Sequence, residues 1–328
     1  MKSKIIKLLR QRGTYVSGQE LCEHFGVSRT AVWKAMEQLK KDGYQIEAVK
    51  NRGYLLKEDA SRVFGHAEIA SRLETDWIGH EFRYFDTVDS TNVRAKAMAE
   101  EGAPHGTLIV ADEQTAGRGR RGRAWNSPAG SNLYYTLLLR PQISPGKAPM
   151  LTLVMAMAIA QGIQDMVEAK VGIKWPNDIV INGKKACGIL TEMNLSVEQG
   201  SIDYVVIGCG INVAKQEFPE EIRGRAIALE EICENVSRAE LLNAVLTAFE
   251  DDYARFMETE DLSGLKEAYN AISVNFGRMV RVLDPKGEFE GIARGIRDTG
   301  ELMVELPNKE IRDVYAGEVS VRGIYGYV

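Results

Sequence analysis

Along the first sixty residues, apolar positions recur three times at helical spacing and then at strand spacing. Ile5, Leu8 and Leu9 mark one face of a first helix. Ser17-Gly-Gln-Glu20 has the form of a capping box opening a second helix, and Phe25-Gly26-Val27 makes a tight turn. Ser28 caps a third helix with Val32, Met36 and Leu39 on its inner face and Arg29, Thr30, Trp33, Lys34 and Gln38 outside. Trp33 is ambiguous, since it suits a core plug as well as an exposed face. Gly43 stops that helix, and residues 44–49 and 53–56 read as a hairpin whose tip, Lys50-Asn51-Arg52-Gly53, is basic. Three helices and a hairpin in that order predict a winged helix-turn-helix.

A polar stretch, residues 57–61, follows as a linker. The pattern then predicts strands at 82–85, 107–112, 132–139, 174–181, 186–193 and 204–213, with helices at 66–73, 91–101, 146–170 and 238–258. After Asn275 the pattern shortens to strands at 279–283, 288–296, 302–306 and 311–315 separated by glycine turns, the signature of a small SH3-like β-barrel. The expected class is α+β. Residues 1–60 form the winged helix, 65–270 a central α/β domain with a mixed sheet, and 274–328 the barrel.

Charge refines this picture. The net charge of −5 argues against a general polyanion binder, yet residues 1–60 carry 12 Lys/Arg against 7 Asp/Glu while the remainder carries 29 against 39. A basic head on an acidic body suits a chain of which only the head meets nucleic acid. In a helix-turn-helix, the N-terminal turn of the second helix of the motif reaches base edges. That makes Ser28, Arg29, Thr30, Trp33 and Lys34 candidate DNA contacts, with Lys50 and Arg52 reaching phosphate or minor groove from the wing. Cys22, Cys187, Cys209 and Cys233 form no C-x-x-C pair and, with His24 isolated, read as reduced thiols rather than a metal site. The longest apolar run, residues 150–160, is too short to span a bilayer, and the N-terminus lacks the apolar core of a signal peptide. A cytoplasmic protein without a membrane partner is expected.

The sharpest chemical signal is Gly117-Arg-Gly-Arg-Arg-Gly-Arg-Ala-Trp125, directly after a strand. Gly117, Gly119 and Gly122 satisfy G-x-G-x-x-G, but Asn126-Ser-Pro-Ala-Gly follows where a dinucleotide fingerprint needs a helix. There is no P-loop motif either. Four guanidiniums, on Arg118, Arg120, Arg121 and Arg123, match carboxylate and phosphate oxygens in fork geometry, and glycines let the backbone bend round a ligand. Such a loop should repel itself and stay mobile without an anion, and order upon one.

At these residues the chain resembles the signature loop of biotin–protein ligases. Asp89-Ser-Thr-Asn92, Gln114, Lys174-Trp-Pro-Asn-Asp178, Lys185-Ala-Cys-Gly-Ile-Leu-Thr-Glu192 and Gly208-Cys-Gly-Ile-Asn212 are similar, in order, to that family's other motifs. The resemblance includes the DNA-binding head of its regulatory subgroup, a biotin operon repressor. It implies a ligase that forms biotinyl-5'-AMP from biotin and ATP with Mg2+, then transfers biotin to a lysine of a biotin carboxyl carrier protein. It also implies repression at an operator, with a homodimer favoured by the adenylate. By matching position, Ser90 (a natural helix cap), Thr91, Asn92 and Gln114 would face the ureido head. Arg118, Gly119 and Arg120 would wrap the ligand, Arg121 and Arg123 would face phosphates or the loop itself, and Trp125 would belong to the same binding loop. Lys185 would bridge carboxylate and α-phosphate, with Arg120 and Asp178 as catalytic partners. Lys174, Asn177 and Asp178 would serve phosphate, magnesium or the incoming lysine, Gly208 and Asn212 would close the pocket, and Arg322 would reach ATP. Some relatives stack adenine on a tryptophan where this chain has the non-aromatic Arg225-Ala-Ile-Ala-Leu229. A lipoate-type ligase, or a ligand-sensing transcription factor without ligase activity, is the alternative.

Overall fold

In a computed structural model, residues 1–57, 62–196, 200–284, 287–316 and 320–323 are described. The chain divides into two compact units, Met1–Glu74 with Asn235–Asn243, and Thr75–Glu234 with Ala244–Val328.

The first unit holds α1 (Lys2–Arg12), α2 (Gly18–Phe25), α3 (Arg29–Lys41), the hairpin β1 (Ile46–Val49) and β2 (Gly53–Leu56), and α4 (His66–Arg72). Ser17 and Ser28 cap α2 and α3 by accepting from Glu20 N and Ala31 N, satisfying amides that a helix start leaves unpaired. Ile5, Leu9, Leu21, Val32, Met36 and Leu39 form its core. The sequence pattern does not reveal that Val16 pairs with Tyr54 through two backbone bonds of 2.9 Å, which adds a third rung to the wing. Gly53 is required there: at φ +111° a Cβ would lie 2.1 Å from the Val16 carbonyl oxygen. Glu68, fully buried, accepts from Arg10 at 2.9 and 3.0 Å, from Tyr44 Oη at 2.9 Å and from Arg72 Nε at 2.5 Å. Burial, with the Glu68 carboxylate beside it, pushes the Tyr44 hydroxyl upward. Removing one partner from such a buried ion cluster costs about 3–5 kcal/mol. Residues 58–61 of the polar linker lie outside the described residues.

The second unit is built on a seven-stranded mixed sheet ordered β3-β4-β5-β9-β8-β7-β6. Its strands are β3 (Phe82–Val88), β4 (Thr107–Gln114), β5 (Leu133–Leu139), β6 (Val171–Lys174), β7 (Asp178–Ile181), β8 (Lys184–Leu195) and β9 (Ile202–Ile211). Only β3 and β4 run parallel, with α5 (Thr91–Glu100) as their crossover. The interior strand β5 is buried at all seven positions. One correction concerns residues 174–181. They are not one strand but a hairpin, β6–β7, turning at a cis Trp175–Pro176 bond. Trp175, 2% exposed, plugs the core and donates to the Gly300 carbonyl oxygen.

The helix expected over 146–170 is shorter, α6 (Met150–Gln164), preceded by a 3-10 turn. Residues 145–164 are apolar and long enough to cross a membrane by length and composition, but 72% of that window is buried inside the protein. α7 (Arg238–Thr259) and α8 (Lys266–Ile272) complete the helices. The last strands are β10 (Met279–Leu283), β11 (Phe289–Ile296), β12 (Leu302–Glu305), β13 (Ile311–Val314) and β14 (Ser320–Gly323). They form an antiparallel sheet ordered β13-β12-β11-β10-β14 with a bulge in β11, compatible with a small barrel. α8 and β14 were not expected from the pattern. The α+β class stands as the sequence predicts.

Candidate active site

Two adjoining hollows, of about 360 and 50 Å3, open beside the C-terminal end of β4. They share Gly119, Arg120, Trp125, Asn177 and Lys185.

The arginine stretch stands between them as a folded hairpin. Gln114 and Ser127 bridge its base, Gly119 N donates to Arg123 O at 2.8 Å, and Trp125 N to Gly117 O at 2.9 Å. Its tip turns through Arg121 and Gly122 at φ 60° and 71°. Arg118, Arg121 and Arg123 spread into solvent, where their repulsion is screened. Arg120 turns inward, donating to Asn177 Oδ1 at 2.6 Å and to the Ala316 carbonyl oxygen at 2.5 Å. Burial lowers its pKa, Asp178 opposes that shift and Arg121 adds to it.

The β6–β7 turn brings Asn177 and Asp178 to the same place. Asp178 Oδ1 lies 2.5 Å from Lys185 Nζ, whose ammonium is 5.4 Å from the Trp125 ring centre. Trp125 lies across β8 and β9 where glycines leave room. A Cβ on Gly210 would meet its Nε1 at 2.5 Å, and that buried indole nitrogen has no hydrogen-bond partner. Alongside Lys185, residues 225–227 run as a parallel bridge, with Lys185 N donating to Arg225 O at 2.7 Å.

The smaller hollow is lined by Ser90, Thr91, Asn92, Gln114, Arg118 and Gly208 among others. Ser90 occupies the N-cap of α5 as its sequence position suggests, without a side-chain cap bond. Thr91 N donates to Gln114 Oε1 at 2.9 Å, and Asn92 Nδ2 donates to Glu192 Oε2 at 2.8 Å. Arg121, Arg123, Asp178 and Asn212 line the larger hollow, Asn212 also donating to the Ile227 carbonyl oxygen at 3.3 Å. Lys174 lines neither hollow and is 6% exposed, because the turn that exports Asn177 and Asp178 sends Lys174 inward. The Arg322 side chain lies outside the described residues.

Sequence reading missed Phe218, Glu221 and Arg225, which line the larger hollow, and Thr136, which contacts Thr91 and Asn92. Phe218 supplies an aromatic to the larger hollow where residues 225–229 have none. Thr136 carried a signal, being the one polar residue in an apolar strand, where a buried hydroxyl needs partners.

A site with amides and hydroxyls at one end and guanidiniums and an ammonium at the other suits a ligand with a neutral polar head and an anionic tail beside a polyphosphate. Cys187 and Cys209 are poor nucleophiles here, since burial pushes the Cys209 thiol to about 12 and raises Cys187 as well.

Residues 84–212 match the model of the biotin/lipoate A/B protein ligase family, residues 2–55 an HTH domain and residues 276–322 the biotin protein ligase C-terminal domain. Over 325 residues, 98% of each chain, the sequence is 39% identical to the bifunctional ligase/repressor BirA of Bacillus subtilis (strain 168). The chain belongs to the bifunctional biotin ligase/repressor family. Its likeness to the BirA of Escherichia coli (strain K12) is 32% identity over 97% and 96% of the two chains. A structure of biotin protein ligase from Aquifex aeolicus in complex with biotin and ATP matches with a TM-score of 0.64 at 31% identity, covering 74% of this chain and 99% of that one.

Proposed function

We propose that the chain is an ATP-dependent biotin–protein ligase and a ligand-responsive repressor of biotin synthesis or uptake genes, working in the cytoplasm. The observation that carries this is the pair of hollows joined through Arg120, Asn177 and Lys185. The smaller would take the ureido head of biotin against Ser90, Thr91 and Gln114. The larger would take ATP, with Phe218 and Trp125 as the aromatic surfaces available to adenine.

In the first step a biotin carboxylate oxygen attacks the α-phosphorus, an O–P bond forms, and the bond to pyrophosphate breaks. No protein nucleophile is required, so the residues act by positioning and by meeting charge that develops at the α-phosphate. Lys185 exchanges Asp178 for carboxylate and phosphate oxygens. Arg120 clamps from the hairpin, Arg121, Arg123 and Arg225 surround the triphosphate, and Arg118 lies on the biotin side. In the second step the acceptor lysine amine of a biotin carboxyl carrier protein attacks the acyl carbon and AMP leaves, with Asp178 placed to receive the proton. Mg2+ fits as an ion carried largely by phosphate oxygens. Among the described residues no cluster of three His, Cys, Asp or Glu could hold a metal, and Asp178 and Glu221 are the carboxylates lining the larger hollow.

Residues 1–60 would bind operator DNA, 65–270 catalyse and 274–328 complete the ATP side of the site. The three separate family matches support this division. The deciding experiment is exchange of labelled pyrophosphate into ATP with biotin, with lipoate and without either. Biotin-dependent exchange, reduced at least about 100-fold in a folded Lys185→Ala variant, is expected. Exchange driven by lipoate alone, or none, rejects the proposal.

A further inference from the structure

The hydrogen bonds beneath the smaller hollow allow the protons to be counted. Asn92 Nδ2 contacts the Leu190 carbonyl oxygen at 3.3 Å and Glu192 Oε2 at 2.8 Å. The Leu190 carbonyl oxygen can only accept, so the amide nitrogen must face this side and Oδ1 must face away. On that side Oδ1 meets Thr136 Oγ1 at 2.7 Å. An amide oxygen only accepts, so the single hydroxyl proton of Thr136 belongs to Asn92. Thr136 Oγ1 also lies 2.8 Å from Thr91 Oγ1. With its own proton committed, Thr136 can only accept there, so the one hydroxyl proton of Thr91 is divided between Thr136 and Gln114 Oε1, 3.1 Å away.

The arrangement extends both ways. Lys96 Nζ holds the far oxygen of Glu192 at 2.6 Å. On the other side Thr91 N donates to Gln114 Oε1 at 2.9 Å, Gln114 Nε2 donates to Ser127 Oγ at 3.0 Å, and Ser127 Oγ donates to the Trp125 carbonyl oxygen at 3.0 Å. A continuous chain thus ties the floor of the smaller hollow to the base of the arginine hairpin. Gly208 permits it, since a Cβ there would sit 2.0 Å from Asn92 Oδ1. Thr136 is fully buried in β5 and lines neither hollow.

We infer that Thr136 is a positioning residue for recognition of the biotin head, fixing Thr91 and Asn92 in the rotamers that line the smaller hollow. This rests on the reading of that hollow as the biotin site. Thr136 touches no ligand itself. Its substitution therefore alters how well the head is held, leaving ATP and the chemical step largely alone.

The test is Thr136→Val, which keeps the shape and removes the hydroxyl, beside Thr136→Ser, which keeps the hydroxyl. Pyrophosphate exchange by the full chain is measured while biotin and ATP are varied in turn. A lost buried hydrogen bond predicts a biotin KM raised about tenfold or more in T136V. The KM for ATP and kcat should stay within about twofold of wild type, and T136S should restore biotin affinity. If T136V does not fold, Thr136→Ala removes the hydroxyl without new bulk and gives the same readings. The inference falls if the folded variants keep the wild-type biotin KM, if the KM for ATP rises equally, or if T136S is as impaired as T136V. A wild-type chain without biotin-dependent exchange rejects the ligase reading instead, so the two failures are distinct.

Discussion

Asp252 in α7 is 3% exposed, its Oδ2 lacks a hydrogen-bond partner and its Oδ1 is 3.8 Å from Arg255. Burial pushes this carboxyl up to about 6, opposed by Arg255 and reinforced by Asp251. A folded-state pKa above the unfolded value means the native state binds the proton more tightly. The resulting stabilisation is complete below about pH 4 and is lost as pH rises through about 6. Above that, the fold carries a buried, poorly compensated charge. Asp252→Asn should therefore stabilise the protein at pH 8 by on the order of 2 kcal/mol, with the advantage vanishing toward pH 4. Thermal melts of both proteins across that range check it, and parallel curves would remove the assignment. At this same scale, Arg120, Asn177, Asp178 and Lys185, singled out by motif, line the larger hollow together. Lys174, read from the same motif, lines neither hollow, since side-chain type reports charge and hydrogen-bonding capacity, not the direction imposed by a turn.

Elements defined by strong periodicity and caps were the most legible. In α3 the spacing of Val32, Met36 and Leu39 and the cap at Ser28 determine both the buried face and the start. Arg29, Thr30 and Lys34 are consequently exposed, and Trp33, at 56% exposure, faces solvent rather than plugging the core. What escaped was short or depended on distant partners. β14 and α8 have four and seven residues. The β6–β7 turn is held by the Asn275 side chain, which accepts from Trp175 N at 2.8 Å from a hundred residues away. The wing shows similar support: the Arg52 guanidinium lies 4.3 Å from the Tyr15 ring centre, and Tyr15 donates to Glu47 at 2.9 Å. If Lys50 and Arg52 meet phosphate, Lys50→Ala and Arg52→Ala should each weaken operator and random DNA alike and reduce the salt slope of binding by about 1. Arg29→Ala should instead narrow the preference for operator. Gel shifts at several salt concentrations separate these outcomes, and an unchanged slope in both wing variants would exclude the wing from the interface. Pyrophosphate exchange should be unaffected in all three.

For the whole molecule, the uneven charge along the chain pointed to a nucleic-acid-binding head, but no local pattern could report how ligand occupancy reaches it. The arginine hairpin offers one physical route. Its exposed guanidiniums are screened by solvent, and an adenylate bound there would offset part of their charge and alter the surface around residues 117–125. If that surface belongs to a homodimer contact, biotinyl-AMP must favour the dimer, and a dimer can span a two-fold operator that a monomer meets only by half. Linkage makes the claim two-sided: whatever factor the adenylate adds to dimer affinity, dimerisation must add to adenylate affinity. Sedimentation equilibrium with and without biotinyl-AMP should show the dimer tightened by about tenfold or more, within the usual 1–3 kcal/mol of such coupling. Adenylate titrations at protein concentrations below and above the dimer constant should show the same factor. Equal dimer constants in both conditions would leave the hairpin as part of the catalytic site alone. A dimer effect without its reciprocal would mean that the adenylate acts through something other than the folded monomer–dimer equilibrium.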